Sequence, residues 1–216
     1  MAYQLAIFDM DGTVLDTLED LQVSLNHALK KNGFPTRTYE EARRFVGNGL
    51  HRFVELGVPE GTPGEQVEQV FDTLNEYYAL HCNDHTKPYD GIVEVIRKLR
   101  GRGIATALVS NKSDYAVQDL VKIYFDGLFD VAVGLKEGIR KKPYPDAVWN
   151  VLESEGKSRE ESVYIGDSEV DLMTAENAGL DCVTVTWGFR TMRELAPYHP
   201  KTICQTPFDL CRILEN

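Results

Sequence analysis

The stretch "LAIFDMDGTVLDT", residues 5–17, ends an apolar run with two aspartates, Asp9 and Asp11, followed by Gly12 and Thr13. Carboxylates at the carboxyl end of a strand, with a glycine to turn the backbone, face a crevice at the sheet edge. A second acidic pair occurs in "GDSEVD", where Asp167 follows the apolar run "VYIG" and Asp171 stands one helical turn further on. That spacing lets both face one side of a helix start. Ser110 and Asn111 follow "ALV" in the same manner, and Lys142 in "RKKPYPD" begins a loop that enters a helix. Carboxylates gathered in one place repel one another unless a cation lies among them. A ligand set made only of oxygen, without histidine or cysteine, points to Mg²⁺, which keeps positions open for a substrate phosphate. One lysine and one serine hydroxyl then suit the remaining phosphoryl oxygens. The aspartate pair can divide the work. One carboxylate attacks phosphorus, and the other carries a proton to the leaving oxygen and later takes one from water.

Taken singly, these motifs have ordinary readings. "DMDG" is also a turn sequence, and it lacks the glycine and glutamate spacing of a calcium loop. "EGKS" imitates the end of a phosphate-binding loop, yet Val151 stands where the required glycine would be. The joint pattern, each polar group following an apolar run, is what carries the chemistry.

The elements that must position these groups are legible as periodicity. "QLAIF", "IATALVS", "DVAVG", "SVYIG" and "CVTVT" read as strands covered on both faces. "GIVEVIRKLRGRG", "KSDYAVQDLVKIY" and "YPDAVWNVLESEG" carry apolar residues at helical spacing between them. This alternation predicts an α/β fold, a three-layer, doubly wound and mainly parallel Rossmann-like sheet. Residues 17–85 break the rhythm and contain only helical patterns. Thr17 is an expected N-cap, Gly33 an expected stop, and Thr38 with Glu41 an expected capping box. The expected organisation is a core of residues 1–16 and 86–216 with an inserted helical cap over 17–85.

A net charge of −11 argues against a nucleic-acid partner, which needs a basic face. No apolar run approaches the ~20 residues that span a bilayer, and the first residues lack a signal-peptide pattern. Cys82, Cys182, Cys204 and Cys211 form no CxxC pair, consistent with thiols in a reducing cytoplasm. The expected partner is a small phosphorylated metabolite, with oligomeric state left open.

"DMDGT", "LVSN", Lys142 in "KKPYPD" and "GDSEVD" resemble, in order, the four motifs of the haloacid dehalogenase superfamily. The helical block after the first motif is similar to that superfamily's inserted cap. "VGNGL", "RKKPYPD", "GDSEVDLMTAENAGL" and "VTWGF" resemble its phosphoglycolate phosphatase branch. The resemblance implies that Asp9 is the nucleophile, Asp11 the general acid/base, and Ser110 and Lys142 the holders of the phosphoryl group. It implies Thr13 and Asn111 as further substrate-binding residues. The implied metal group is Asp9, Asp11 (through its backbone carbonyl), Asp167 and Asp171, with Asp171 read as orienting the others. "RRFVGNGLHR" concentrates cations and glycine in the cap, so Gly47, Asn48 and Gly49 are expected to read the substrate. Mutase, pyrophosphatase and other sugar-phosphate or nucleotide phosphatase readings stay open within this family. Outside it, a non-catalytic phosphate- or metal-binding module does.

Overall fold

The computed structural model describes residues 3–215. The chain forms two compact units, one from the residues up to Leu15 together with those from Pro88 onward, the other Asp16–Lys87. The first contains strands β1 (Leu5–Phe8), β4 (Ala105–Ser113), β5 (Val131–Leu135), β6 (Ser162–Gly166), β7 (Asp181–Val185) and β8 (Thr202–Cys204). Two-residue strands β2 (Leu15–Asp16) and β3 (Lys87–Pro88) pair separately. The main sheet has the order β5-β4-β1-β6-β7-β8 and is parallel throughout. After β5 the chain returns to the other side of β1. The order therefore switches beside β1, where the strand ends of such sheets open a crevice.

Alternation along β1 shows why the sheet is buried on both faces. Ala6 and Phe8 join the cluster of Ile92, Val95, Ile96 and Leu99 from α5 (Ile92–Gly101) and Leu210 and Leu214 from the helix Pro207–Glu215. Leu5 and Ile7 face the other way, onto Val148, Val151 and Leu152 of α7 (Asp146–Glu155) and Ala175 and Ala178 of α8 (Glu169–Ala178). Each such large apolar side chain contributes about 1.5–3 kcal/mol on burial.

β8 and the end of β4 are two departures from the sequence expectation, among others. β8 has three residues at a sheet edge, too few to show a period. β4 runs through Lys112 and Ser113, which the helical pattern had claimed, and α6 starts only at Asp114 (Asp114–Tyr124). Pairing with β5 extends to Ser113↔Leu135 across a register shift after Val109. Gly134 permits that approach, because a Cβ there would lie 2.8 Å from the Lys112 carbonyl oxygen and 2.5 Å from Asp114 Cα.

The second unit holds α1 (Leu18–Lys31), α2 (Tyr39–Phe45), α3 (Leu50–Gly57) and α4 (Gly64–His81). The Thr38–Glu41 capping box forms, and Gly33 follows α1 with φ +77°. Thr17 does not cap α1 through its side chain. Its backbone is already in the helical region (φ −111°, ψ 0°), whereas a side-chain cap needs extended geometry. Asp20, buried in the first turn of α1, instead receives the backbone N–H groups of His85 (2.9 Å) and Thr86 (2.8 Å) and the Thr86 hydroxyl (2.7 Å). Among the described residues, no helix is long and apolar enough to cross a membrane.

Candidate active site

The register Phe8↔Leu108 and Phe8↔Ile165 sets the ends of β4, β1 and β6 side by side, so Asp9 lies between the residues leading to Ser110 and to Asp167. The Asp9 N–H donates to the Ile165 carbonyl at 2.9 Å. Beyond it the chain turns, with the Met10 carbonyl accepting from the N–H groups of Thr13, Val14 and Leu15. Gly12 has φ +87°, and a Cβ there would lie 2.5 Å from Asp167 Oδ2. A Cβ at Gly188 would come within 2.4 Å of Asp167 Cβ, of its Oδ2 and of the Gly12 carbonyl oxygen. Two glycines thus let two backbone segments close on Asp167. Its carboxylate accepts from the Phe189 N–H at 2.6 Å and from the Thr13 hydroxyl at 3.3 Å.

Lys142 links the acidic groups. Its Nζ lies 2.7 Å from Asp9 Oδ1 and 2.7 Å from Asp171 Oδ1, and donates to the Tyr164 hydroxyl oxygen at 3.1 Å. The other oxygen of Asp171 accepts from the Ser168 N–H (3.0 Å) and hydroxyl (2.6 Å), completing a capping box at the start of α8. Asp171 is therefore bonded on both oxygens. Asp9, Asp167 and Asp171 are all buried, and each offers a ligand atom within 4.8 Å of the others. Burial, then Asp171, push the Asp9 carboxyl well above its usual range, and Lys142 offsets this only in part. Burial and Asp171 likewise push Asp167 up to about 7, against the Phe189 N–H, Arg190 and Lys142. For Lys142, burial opposes the charge, but Asp171 and Asp9 hold it well above the ordinary lysine value. Lys142 contacts two of the three buried carboxylates and the third, Asp167, has only the more distant help of Arg190 and Lys142, a charge balance that fits an added divalent cation.

The other expected residues separate into groups. Asp11 is not part of this trio; its Oδ1 pairs with Lys112 Nζ at 2.8 Å. Ser110 is buried, and its hydroxyl accepts from the Lys112 N–H at 3.2 Å. Asn111, expected among the substrate-binding residues, is bonded to the Lys142 backbone, accepting its N–H (2.8 Å) and donating to its carbonyl (3.1 Å). Gly47, Asn48 and Gly49 lie in the second unit immediately before α3, with φ +123° and +83° at the two glycines.

Several contributors escaped the sequence reading. Tyr164 looks like core in an apolar strand, and its hydroxyl contacts with Lys142 (3.1 Å), Asp171 (3.4 Å) and the Val109 carbonyl (3.3 Å) distinguish it. The helical spacing of "KSDYAVQDLVKIY" places Lys112 at a helix start, whereas it lies in β4. Gly188 and Phe189 act through backbone proximity, which leaves no side-chain signature. Ser168, legible beside Asp167 as a polar residue after "VYIG", also caps α8 in a Ser-x-x-Asp pattern.

The description of the haloacid dehalogenase-like hydrolase family matches residues 6–185. A phosphoglycolate phosphatase of Pseudomonas putida is 30% identical over 93% of this chain and 75% of its own length. Another from Aquifex aeolicus is 27% identical over 97% and 96%. A solved structure from Lactobacillus delbrueckii subsp. bulgaricus, provisionally described as a phosphoglycolate phosphatase, superimposes with a TM-score of 0.96, at 37% identity over 100% of both chains. A buried network of Asp9, Lys142, Asp167 and Asp171 beside the ends of β1 and β6 thus occurs in a chain that belongs to the haloacid dehalogenase-like hydrolase family.

Proposed function

We propose that this hydrolase is a Mg²⁺-dependent phosphatase of small phosphorylated metabolites, acting through an aspartyl-phosphate at Asp9, with phosphoglycolate its best single substrate candidate. The observation that carries this reading is the different company kept by two aspartates only two residues apart. Asp9 is buried against Lys142 and two further carboxylates, while Asp11 is paired away from that group with Lys112. A nucleophile and a proton carrier need such separate environments.

In this mechanism an Asp9 oxygen forms a bond to phosphorus as the ester P–O bond breaks, and Asp11 gives its proton to the departing oxygen. Water then attacks the acyl phosphate, Asp11 takes its proton, and free phosphate leaves. Ser110 and Lys142 hold phosphoryl oxygens, and Asn111 keeps Lys142 in place through its backbone. Asp9 and Asp167, with the Asp11 carbonyl, would hold Mg²⁺. Bound there, the ion would offset carboxylate charge and polarise the phosphoryl group. Asp171, bonded on both oxygens, holds Lys142 and the start of α8. Gly47, Asn48 and Gly49 are proposed to discriminate among substrates from the helical unit.

The substrate assignment is supported by relatives named phosphoglycolate phosphatase at about a third identity or less. The test is phosphate release with Mg²⁺ from a panel containing phosphoglycolate, a hexose 1-phosphate, pyrophosphate and a nucleotide. Preferential release from phosphoglycolate supports the reading. An isomerised hexose phosphate without net release would make the protein a mutase, and turnover of none would make it a binding module.

A further inference from the structure

We infer that Lys112 is a positioning residue for Asp11, fixing the carboxylate that moves protons in the phosphoryl transfer; this rests on the role of Asp11 proposed above. The Lys112 side chain is only 1% exposed, yet its ammonium ends on a carboxylate at 2.8 Å. Lysines rarely lie at such depth without a specific partner. A buried ion pair contributes little net stability, because desolvation consumes most of the attraction. Fold stability alone therefore does not account for this lysine, whereas holding a carboxylate in one orientation does.

The backbone is shaped to deliver it. β4 continues beyond Ser110 because β5 follows it across the register shift, and Gly134 lets the two backbones meet at Lys112. Irregularities of this kind re-aim side chains at sheet ends. The Lys112 N–H is fixed on the Ser110 hydroxyl, so the strand end is anchored where the side chain departs. Asp11 lies in the turn after β1, with its side chain 16% exposed. An ammonium on Oδ1 sets the rotation of the whole carboxylate, and with it the direction of the second oxygen. The two buried lysines thus serve different aspartates, Lys142 the attacking group and Lys112 the proton carrier. In the first half-reaction the Asp11 proton passes to the leaving oxygen as the P–O bond breaks and the Asp9–P bond forms. In the second, Asp11 removes a proton from the attacking water. Misorientation by an ångström slows such steps about 10²-fold.

The test is a double-substitution cycle with Lys112→Met, Asp11→Asn and both together, using the best alkyl phosphate of the panel and p-nitrophenyl phosphate, whose leaving group needs no proton. For the alkyl ester, Lys112→Met should lower kcat about 10- to 100-fold with KM nearly unchanged, and Lys112→Arg should restore most of it. Phosphoenzyme formation from the aryl ester should fall far less, and phosphoenzyme should accumulate as water attack slows. In the Asp11→Asn background the same change should cost less than about 2-fold, because the group it positions is gone. An equal loss in both backgrounds, or a loss confined to KM, overturns the inference while leaving the Asp11 assignment intact. Wild-type kcat in Asp11→Asn overturns the assignment and the inference together. If Lys112→Met does not fold, the alkyl-to-aryl ratio of the rates of phosphoenzyme formation within one preparation of Lys112→Gln decides, since inactive protein cancels. An unchanged ratio refutes the role.

Discussion

Replacing Lys142 with methionine removes one ammonium from between two buried carboxylates, each 2.7 Å away. At an effective dielectric of about 20, each contact corresponds to about 6 kcal/mol of gross attraction. Desolvation of the ammonium cancels much of that, and breaking buried pairs by removing one partner costs about 3–5 kcal/mol. The expected loss is therefore about 3–5 kcal/mol in the absence of metal, a large share of the roughly 5–15 kcal/mol that stabilises a typical domain. The remaining carboxylates repel without a cation between them, so Mg²⁺ should restore part of the loss, more than it stabilises the wild type. Urea unfolding in EDTA and in Mg²⁺ measures both quantities. Activity with Mg²⁺ should fall at least about 10³-fold, because in the proposed mechanism the ammonium also offsets phosphoryl charge. Lys141→Ala, at an exposed neighbour, should stay within about twofold of wild type. Wild-type stability of Lys142→Met in EDTA, or equal activity losses in the two variants, would refute the charge-network argument.

Three further outcomes are expected. EDTA should abolish turnover and Mg²⁺ restore it, whereas Ca²⁺, with longer bonds and higher coordination numbers, should inhibit; full activity after chelation would refute a metal requirement. Gly188→Ala should place a methyl group against Asp167 and lower Mg²⁺ affinity at least about tenfold by calorimetry, with unchanged affinity counting against this turn as a support of Asp167. Burial works against the Asp20 charge, but hydrogen bonds from the Thr86 hydroxyl and from His85 hold its carboxyl below the usual range. A lowered folded pKa contributes stability above the unfolded value that disappears as pH falls through the folded one. Asp20→Asn should therefore flatten the acid limb of the stability profile, and Asp20→Ala should cost about 2–4 kcal/mol in urea unfolding at neutral pH by orphaning buried N–H groups.

The parallel sheet was legible because its strands are apolar on both faces, as Leu5–Phe8 and Ser162–Gly166 are. Polar residues after such runs announced themselves, so Asp9, Ser110 and Asp167 could be named from order alone. Lys112 could not. "KSDYAVQDLVKIY" has good helical spacing, and only the pairing of Ser113 with Leu135, allowed by Gly134, keeps its first two residues in a strand. Thr17 failed as a side-chain cap because cap preference reports residue type, whereas the backbone there is already helical. The contacts of Asn111 were also hidden, since they join it to a backbone 31 residues away. What periodicity misses in this chain is long-range backbone contact, and several supports of the site are of that kind.

The central claim is that Asp9 becomes phosphorylated during turnover. Acid quenching during steady-state hydrolysis with Mg²⁺, followed by borohydride reduction and peptide mass analysis, reads this directly. Reduction of an acyl phosphate converts aspartate to homoserine. The account predicts homoserine at position 9 in the wild type, more of it in Asp11→Asn, and none in Asp9→Asn. Turnover with no modification at position 9 in either of the first two proteins, or modification at Asp11, Asp167 or Asp171 instead, would contradict it.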